Sequence, residues 1–368
     1  MQRCVNVIGV GMSPFNPAPL SRESTILVGD TVRRVLVDAG LSAGDIGAVF
    51  AASGLMEERS LQRALGLGGL GSVSLRQFSA GAADSCCLLY QACQAIEAGQ
   101  IECVLLLGVQ DALATLPDLD NSLGKLGMAA REYMLRYRAR RETFAMVAVK
   151  ARQHALLNPD AVFHQTLSLD QVLDARVIVG PLTYPQFAWP TCGVAALLLC
   201  SREFARRRTT GPGVRIIAQA RVIPQQVNVG VGSPFSAIGY EVNVAAAQDL
   251  YEQAGWGPQD VSVCELHDSS TLDELLLYEA LGFCAEGSAE KLVEDGDNTY
   301  GGNLVVNPSG GLLSLGQAPS TSGLAQCIEL VQQLRGRAGQ RQVANAQIAL
   351  QHQMGTDGTV VATLYQRE

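Results

Sequence analysis

The chain has 368 residues, 48% of them apolar and 17% charged, so it is long enough for two units that each bury a core. Its formal net charge of -8 argues against nucleic acid as the main partner. The ten cysteines show neither a CxxC pair nor zinc-type spacing, and we expect no metal site. Since no signal peptide, long apolar run or peroxisomal C-terminus is found, we expect a cytoplasmic protein without a membrane span.

Apolar strands alternate with helices in the first part of the chain. The helical periodicity of residues 24–39 and 82–98 ends in each case at a glycine. Continuous apolar strands between helices predict an α/β fold whose sheet is buried on both faces. The strands predicted for this part are residues 4–12, 46–52, 73–78, 103–108 and 194–201.

A short internal repeat indicates that the chain is built from two similar halves. DAGLSAGDI, at residues 38–46, closes a helix and starts a strand, and QAGWGPQDV, at residues 253–261, does the same. The strand predicted at 214–222 corresponds in role to the first strand of the chain. A polar linker rich in turn-forming residues precedes it, so we predict an N-terminal half at 1–208 and a C-terminal half at 214–368.

Residues 111–190 interrupt the first half. They contain one strong helical pattern, at about 129–157. Its basic face either meets phosphate groups or is an ordinary solvated helix face. The arginines of this face are Arg131, Arg136, Arg138, Arg140 and Arg141.

A glycine-rich stretch, DNTYGGNLVVNPSGGLLSLGQAPSTSG at residues 297–323, surrounds a predicted strand at 303–307 and precedes a predicted helix at 324–335. Backbone N–H groups at the start of a helix suit an anionic or polarised oxygen. Ser309 and Gly310 are therefore candidates for binding a cofactor group. The alternative is a strand-to-helix turn that simply needs its glycines.

Several motifs resemble the sterol-carrier-protein-type thiolases, the thiolase part of the non-specific lipid-transfer protein. They are DNTYGG, NPSGGLLS and SGLAQC, with CELHDSSTLDELLLYEALGFC before them and GQRQVANAQIALQHQMGTDGTVVATLYQ after them. The similarity covers essentially the whole chain and is weakest in the middle third. It implies the thiolase fold: two similar halves in a five-layer αβαβα arrangement, with an inserted loop domain at 111–190 that covers the active site and helps to bind CoA. In that setting Arg131 and Arg138 would meet the CoA phosphates.

The resemblance also implies which groups the chemistry needs. A thiolase uses a cysteine nucleophile at a helix N-terminus, a base for the α-proton and two oxyanion holes. Counting back from Ala98 places the nucleophile at Ala82, and alanine cannot be acylated. Cys86 lies four residues further along the same helix face, and it is either a substitute nucleophile or a buried cysteine.

At the other motif positions the chain either agrees with the family pattern or departs from it. His267 matches an active-site histidine, with a structural histidine as the alternative, and His352 agrees with the family pattern. Ser269 replaces the cysteine that is the usual acid/base, and serine is a poor base. Gln317 replaces a histidine; it can donate a hydrogen bond but cannot take the proton of a thiol. Asp357 replaces a glycine, so it acts as a base or points away from the pocket.

These differences favour a protein that binds an acyl thioester of CoA or phosphopantetheine, with no separate cofactor. One hypothesis is altered carbon–carbon bond chemistry, either aldolase-like cleavage with a small OB-fold partner or partner-dependent acyl transfer or condensation. The alternative is a non-catalytic subunit that stabilises a partner. The catalytic candidates are His267, His352, Gln317, Ser269, Asp357 and Tyr300.

The resemblance implies that the chain assembles with a second thiolase-like chain. We expect a homodimer or a heteromer in which the strand at 73–78 meets its counterpart across the interface.

Overall fold

The computed structural model describes residues 4–20, 24–54, 56–78, 85–113, 119–208, 213–227 and 233–368. Its strands, in chain order, are β1 (Val5–Met12), β2 (Ala48–Ser53), β3 (Leu75–Phe78), β4 (Cys103–Gln110), β5 (Val177–Val179), β6 (Leu182–Thr183), β7 (Gly193–Ser201), β8 (Val214–Val222), β9 (Val263–Glu265), β10 (Val305–Val306), β11 (Ile348–Met354) and β12 (Val360–Arg367). Its α-helices are α1 (Ser24–Ala39), α2 (Glu58–Leu67), α3 (Ser85–Glu97), α4 (Leu119–Tyr137), α5 (Arg141–Ala155), α6 (Leu169–Leu173), α7 (Arg202–Arg208), α8 (Tyr240–Ala254), α9 (Thr271–Ala280), α10 (Ala289–Glu294), α11 (Gly311–Leu315) and α12 (Ser322–Arg335). None of these helices is long and apolar enough to cross a membrane.

Ten strands form one sheet with the order β10-β9-β11-β12-β8-β1-β7-β4-β2-β3. The strand order is the same in the two halves, which meet where β1 pairs with β8. The first half contains β1–β4 and β7, and the second contains β8–β12. If the five strands of each half are numbered along the chain, both halves read 1-5-4-2-3 from this contact outward. The pairing directions also agree: in both halves the first and fourth strands flank the fifth antiparallel, and the second pairs parallel with the fourth and third. The two similar halves expected from the sequence are therefore confirmed, while their residue boundaries stay a prediction.

The helices and the two halves of the sheet form five layers. Helices α3 and α12 lie in the middle, and their apolar side chains share one core with strand residues of both halves, for example Leu89, Leu330, Val104 and Val263. The outer face of the first half packs against α1 and α2, and the outer face of the second half packs against α8 and α9. This arrangement is the αβαβα order that the resemblance implies, and the fold prediction is confirmed.

The segment between β4 and β7 contains α4, α5, α6 and the small β5–β6 pair. The single helix predicted at about 129–157 is wrong, because the chain breaks into α4 and α5 around Arg138, whose φ of 59° is left-handed. A side chain from the second half fixes this break: Glu290 accepts hydrogen bonds from the Arg140 N–H (3.0 Å) and the Thr143 hydroxyl (2.7 Å) at the start of α5. A carboxylate at a helix N-terminus satisfies free N–H groups and suits the helix dipole.

A buried ion pair fastens α5 to the second half. The Lys150 ammonium of α5 contacts the Glu274 carboxylate of α9, and both side chains are at most 6% exposed. Lys150 also lies 3.2 Å from the Tyr278 hydroxyl, and the Asn307 amide donates to the second oxygen of Glu274 at 2.9 Å. Each member of the pair therefore has a further hydrogen-bond partner, and such partners help a buried pair to be tolerated.

The Lys150→Ala variant tests the role of this ion pair. We expect the free energy of unfolding to fall by about 3–5 kcal/mol, because the Glu274 carboxylate is left buried without its cation. The measurement is urea denaturation of both proteins under identical conditions. The matched control is Lys291→Ala, which removes the exposed pair between Lys291 and Asp295 and should change stability little. Equal losses in the two variants would contradict the assignment.

Candidate functional site

Two histidines meet at one edge of the sheet. Strands β9 and β11 are parallel neighbours, with Glu265 opposite Gln351. His267 follows the end of β9 by two residues, and His352 is the residue after Gln351. Because parallel strands end at the same edge, side chains 85 positions apart in the sequence come together where ligand sites of α/β sheets commonly lie.

His267 and His352 line a common cavity of about 20 Å³, which is room for one water molecule. Its polar walls also include Asn243 from α8 and Asp273 from α9. The remaining walls are formed by Ile238, Tyr240, Leu276, Leu277 and Met354, of which Tyr240 carries a hydroxyl group. The cavity thus combines five polar side chains with an otherwise apolar lining, as small-molecule sites commonly do.

Both histidines of the cavity are buried and neutral. Burial lowers the pKa of His267 to about 4. Burial, together with the neighbouring His267, lowers the pKa of His352 to about 3. The Nε2 atom of His352 lies 2.8 Å from the Asn243 carboxamide oxygen, so Nε2 carries the hydrogen and Nδ1 presents a lone pair. The Nδ1 atoms of both histidines are buried without a hydrogen-bond partner among the described residues.

Asp273 reaches the cavity from the first turn of α9. Ser270 begins this helix, and its hydroxyl accepts the Asp273 N–H at 3.2 Å. One carboxylate oxygen, Oδ2, accepts hydrogen bonds from the hydroxyls of Ser269 (2.6 Å) and Ser270 (2.9 Å). Burial raises the pKa of the Asp273 carboxyl above its ordinary value, although the serine hydroxyls oppose this change.

Sequence reasoning missed Asn243 and Asp273. The spacing Ser270–Asp273 is a helix-start signal, which would have placed the aspartate beside the HDSS motif. Asn243 lies inside an amphipathic helix far from any motif, and the sequence around it contains no pattern that indicates a site.

Residues 188–191 connect the loops that carry Ser269 and Gln317, because they form backbone hydrogen bonds with both loops. The Ala188 N–H donates to the Ser269 carbonyl at 2.9 Å, and the Gln317 N–H donates to the Trp189 carbonyl at 2.8 Å. The Thr191 N–H in turn donates to the Gln317 carbonyl at 2.9 Å. Ser269 is linked to the cavity through Asp273, whereas Gln317 is half-buried and is not among the residues that line the cavity.

Tyr300 and Asp357 lie apart from the cavity lining. The Tyr300 hydroxyl donates to the Arg341 carbonyl at 2.9 Å, and its ring packs edge-on against His154. Asp357 is exposed in the turn between β11 and β12, where it accepts hydrogen bonds from the N–H and hydroxyl of Thr359, both at 2.9 Å. The geometry gives both residues local structural contacts, and their catalytic roles stay predictions.

The cofactor-binding candidates fall into a buried pair and an exposed pair. The Ser309 N–H and hydroxyl both donate to Glu265, at 2.9 and 2.7 Å. Gly310 has a φ of 101°, and a Cβ there would lie 2.8 Å from the Cβ of Ala155, so the glycine permits close packing on α5. Arg131 and Arg138 are exposed on and after α4. Contact of any of these residues with CoA stays a prediction.

The predicted nucleophile position, Ala82, lies outside the described residues. Cys86 is buried in the first turn of α3 as the structure describes that helix, and its use as a nucleophile also stays a prediction. Within the described ranges no three histidine, cysteine or acidic side chains are grouped to hold a metal ion.

Comparison with known proteins gives a consistent assignment. The family described as Thiolase C-terminal domain-like matches residues 236–364. Sterol carrier protein 2 of Bos taurus is 36% identical over 393 residues, which cover 98% of this chain and 72% of that protein. The benzoylsuccinyl-CoA thiolase subunit BbsB of Thauera aromatica is 37% identical over 234 residues, 63% of this chain and 60% of that one.

A solved structure described as the Ltp2-ChsH2(DUF35) aldolase has the same fold. It superposes with a TM-score of 0.82 at 24% identity and covers 99% of this chain and 98% of its own. The nearly full-length similarity to sterol carrier protein 2, together with the shared fold, shows the family. The chain therefore belongs to the sterol-carrier-protein-type branch of the thiolase superfamily.

Proposed function

We propose that this protein binds an acyl-CoA or another acyl thioester and acts on a carbon–carbon bond without a cysteine nucleophile. The reaction would be aldolase-like cleavage or partner-dependent acyl transfer or condensation, rather than ordinary thiolysis. The observation that carries the proposal is the cavity shared by His267 and His352, with Asn243 and Asp273 in its walls.

The chemistry of this cavity suits a polarised carbonyl group. Neutral imidazoles donate or accept hydrogen bonds without adding a charge, and a buried hydrogen-bond donor stabilises an enolate oxygen better than one in water. The unpartnered Nδ1 of His267 can donate to a bound carbonyl or enolate oxygen, whereas the lone pair on the Nδ1 of His352 can accept a hydrogen from a bound hydroxyl group. The cavity therefore supports binding of a thioester carbonyl, or of a hydroxyl group beside it.

The replaced motif positions argue against the ordinary thiolase route. In the sequence, Ala82 stands where the nucleophile is expected, and Ser269 and Gln317 replace a cysteine and a histidine of the family pattern. Aldol cleavage needs no acyl-enzyme; it needs a proton acceptor for the hydroxyl group and stabilisation of the enolate that leaves. The similarity to a structure described as an aldolase favours this reaction over the other carbon–carbon bond reactions.

A second candidate function is a non-catalytic subunit that stabilises a partner. The small volume of the cavity favours it, since room for one water molecule does not accommodate a substrate without movement of the apolar side chains around it. Binding of acyl thioesters would favour the enzyme, and its absence would favour the non-catalytic subunit.

We also propose that the partner is a second thiolase-like chain, a small OB-fold protein, or both. The description of the aldolase structure includes a DUF35 component, and BbsB is described as a subunit. Strand β3 is the last strand of the ten-stranded sheet, so one of its edges pairs with no other described strand. A cytoplasmic location stays a prediction.

Calorimetric titration with CoA and acetyl-CoA tests the proposed function. We expect saturable binding of acetyl-CoA, and at least a tenfold weaker affinity in the His267→Asn and His352→Asn variants, because each loses a ring nitrogen of the cavity. The matched control is His164→Asn, since His164 is exposed outside the cavity. Absence of binding to the wild-type chain would overturn the enzyme proposal and favour the subunit.

The open edge of β3 gives a prediction about assembly. The Val49 N–H donates to the Ser74 carbonyl, so the N–H of Leu75 faces away from β2. Light scattering should give twice the chain mass of 39.0 kDa for the wild type. Leu75→Pro should give monomers, because proline removes that N–H, and Leu75→Val should remain dimeric. A monomeric wild type, or a dimeric Leu75→Pro variant, would contradict pairing through β3.

Burial of the histidines predicts how stability depends on pH. The folded pKa of His267, about 4, is lower than the ordinary value of 6.5. The unfolded chain therefore binds a proton that the folded chain does not, so the stability from neutral His267 is present above pH 6.5 and is lost as the pH falls toward 4.

Urea denaturation between pH 7 and pH 4 measures this loss. The share due to His267 should be about 3 kcal/mol, and the His267→Asn variant should lack it. His164→Asn should follow the wild type. If His267→Asn loses as much stability with acid as the wild type, the residue is not buried in its neutral form.

A further inference from the structure

We infer that Asp273 is the acid/base group of this site and moves the proton at the α-carbon of the bound acyl thioester. The inference rests on the proposed function, because it requires a thioester in the cavity. Asp273 is not among the catalytic candidates predicted from the sequence.

Asp273 is a carboxylate with one oxygen held by hydrogen bonds and the other without a hydrogen bond to the described residues. Among the described residues that line the cavity, Asp273 is the one with a carboxyl group. The Ser269 and Ser270 hydroxyls both bind Oδ2, so these two hydrogen bonds fix the side chain and leave Oδ1 outside them. His267 and His352 line the same small space, so a carbonyl held by a ring nitrogen would lie close to the carboxylate.

The other polar groups of the cavity are uncharged near neutral pH. His267 and His352 have pKa values of about 4 and about 3, both lowered first by burial, so their rings stay neutral. Burial raises the pKa of Tyr240 to about 12, which makes its hydroxyl a weak acid. Asn243 does not titrate. The Asp273 carboxyl has a pKa raised by burial, which strengthens it as a base.

The proton transfer balances without any further reactant. In the forward direction the α-C–H bond breaks, its proton forms an O–H bond on Asp273, and the electron pair moves into the enolate, whose oxygen is held by hydrogen bonds. In aldol cleavage the β-hydroxyl group gives its proton to the Asp273 carboxylate while the carbon–carbon bond breaks and its electron pair moves into the enolate. Protonated Asp273 then gives that proton to the α-carbon of the enolate. In D₂O the carboxyl exchanges its hydrogen with solvent, so the returned atom is deuterium.

The experiment must distinguish proton transfer by Asp273 from a purely structural role of this residue. The residue stabilises the start of α9 through Ser270, and a second serine-capped aspartate does the same elsewhere. The Ser42 hydroxyl donates to Asp45 at 2.7 Å at the start of a 3₁₀ turn of the first half. Asp45→Asn is therefore the matched control for Asp273→Asn.

The experiment measures exchange of the α-hydrogens of acetyl-CoA in D₂O by proton NMR, with binding followed by calorimetry on the same samples. We expect the wild type to catalyse exchange, and Asp273→Asn to lower the rate by about 100-fold or more with little change in affinity. Asp45→Asn should exchange like the wild type. Binding without exchange in the wild type, or undiminished exchange in Asp273→Asn, would overturn the role of Asp273 and leave the proposed binding intact. Absence of binding would overturn both.

The pH dependence of exchange supplies a readout that a structural role would not move. The rate should fall as the pH falls through the pKa of Asp273, because the protonated carboxyl cannot accept a proton. Ser269→Ala removes a hydroxyl that lowers this pKa, so the acid limb should shift to higher pH. The other titratable groups of the cavity are His267, His352 and Tyr240, while Glu274 on the same helix turns toward Lys150.

An acid limb that stays in place in Ser269→Ala would contradict the inference. This result decides the question even if Asp273→Asn does not fold.

Discussion

The site depends on the register between two parallel strands, β9 and β11. With Glu265 opposite Gln351, His352 and the residues after β9 arrive at one edge of the sheet. Side chains alternate between the faces of a strand, so a shift of one residue in β11 would turn His352 to the opposite face and remove it from the cavity. Everything proposed for the chemistry follows from this pairing.

Buried polar contacts behind the strands hold that register. Asn307 accepts the Leu266 N–H at 2.6 Å and donates to Glu274, which contacts Lys150 of the inserted segment. Asp268, directly after His267, accepts the Leu312 N–H at 2.7 Å at the start of α11. The loop is thus fixed on both sides of His267, at Leu266 and at Asp268, and a fixed loop is what a preorganised site requires.

The two unpartnered ring nitrogens run against this pattern of satisfied polar groups. A buried polar atom without a partner costs about 1–3 kcal/mol, and the cavity beside these nitrogens has room for one water molecule. A water molecule or a ligand group in this cavity, beside Asn243 and Asp273, would complete the hydrogen bonding. The same polar lining has no evident purpose in a subunit that only supports a partner.

The sequence predicted the large features because they rest on long, regular patterns. Apolar strands, glycine-terminated helices and the repeat at 38–46 and 253–261 are local signals, and the symmetric strand order confirms the two halves they predicted. The break at Arg138 was missed because Glu290, 150 positions after Arg140, fixes it. Such contacts leave no trace in the local pattern.

The candidate site was predicted in part for the same reason. His267 and His352 lie in recognisable motifs, and the structure places both in one cavity. Tyr300 and Asp357 also lie in motifs, but their side chains make local contacts that no spacing predicts. Asn243 enters through the packing of α8, which only the tertiary structure shows.

A crystal structure with acetyl-CoA bound would show whether the cavity of His267 and His352 receives the thioester. We expect the thioester carbonyl oxygen to replace the single water molecule that the cavity can hold and to lie within hydrogen-bonding distance of the His267 ring, with the α-carbon facing Asp273. A thioester bound elsewhere on the chain, with the cavity still closed around its side chains, would contradict the account.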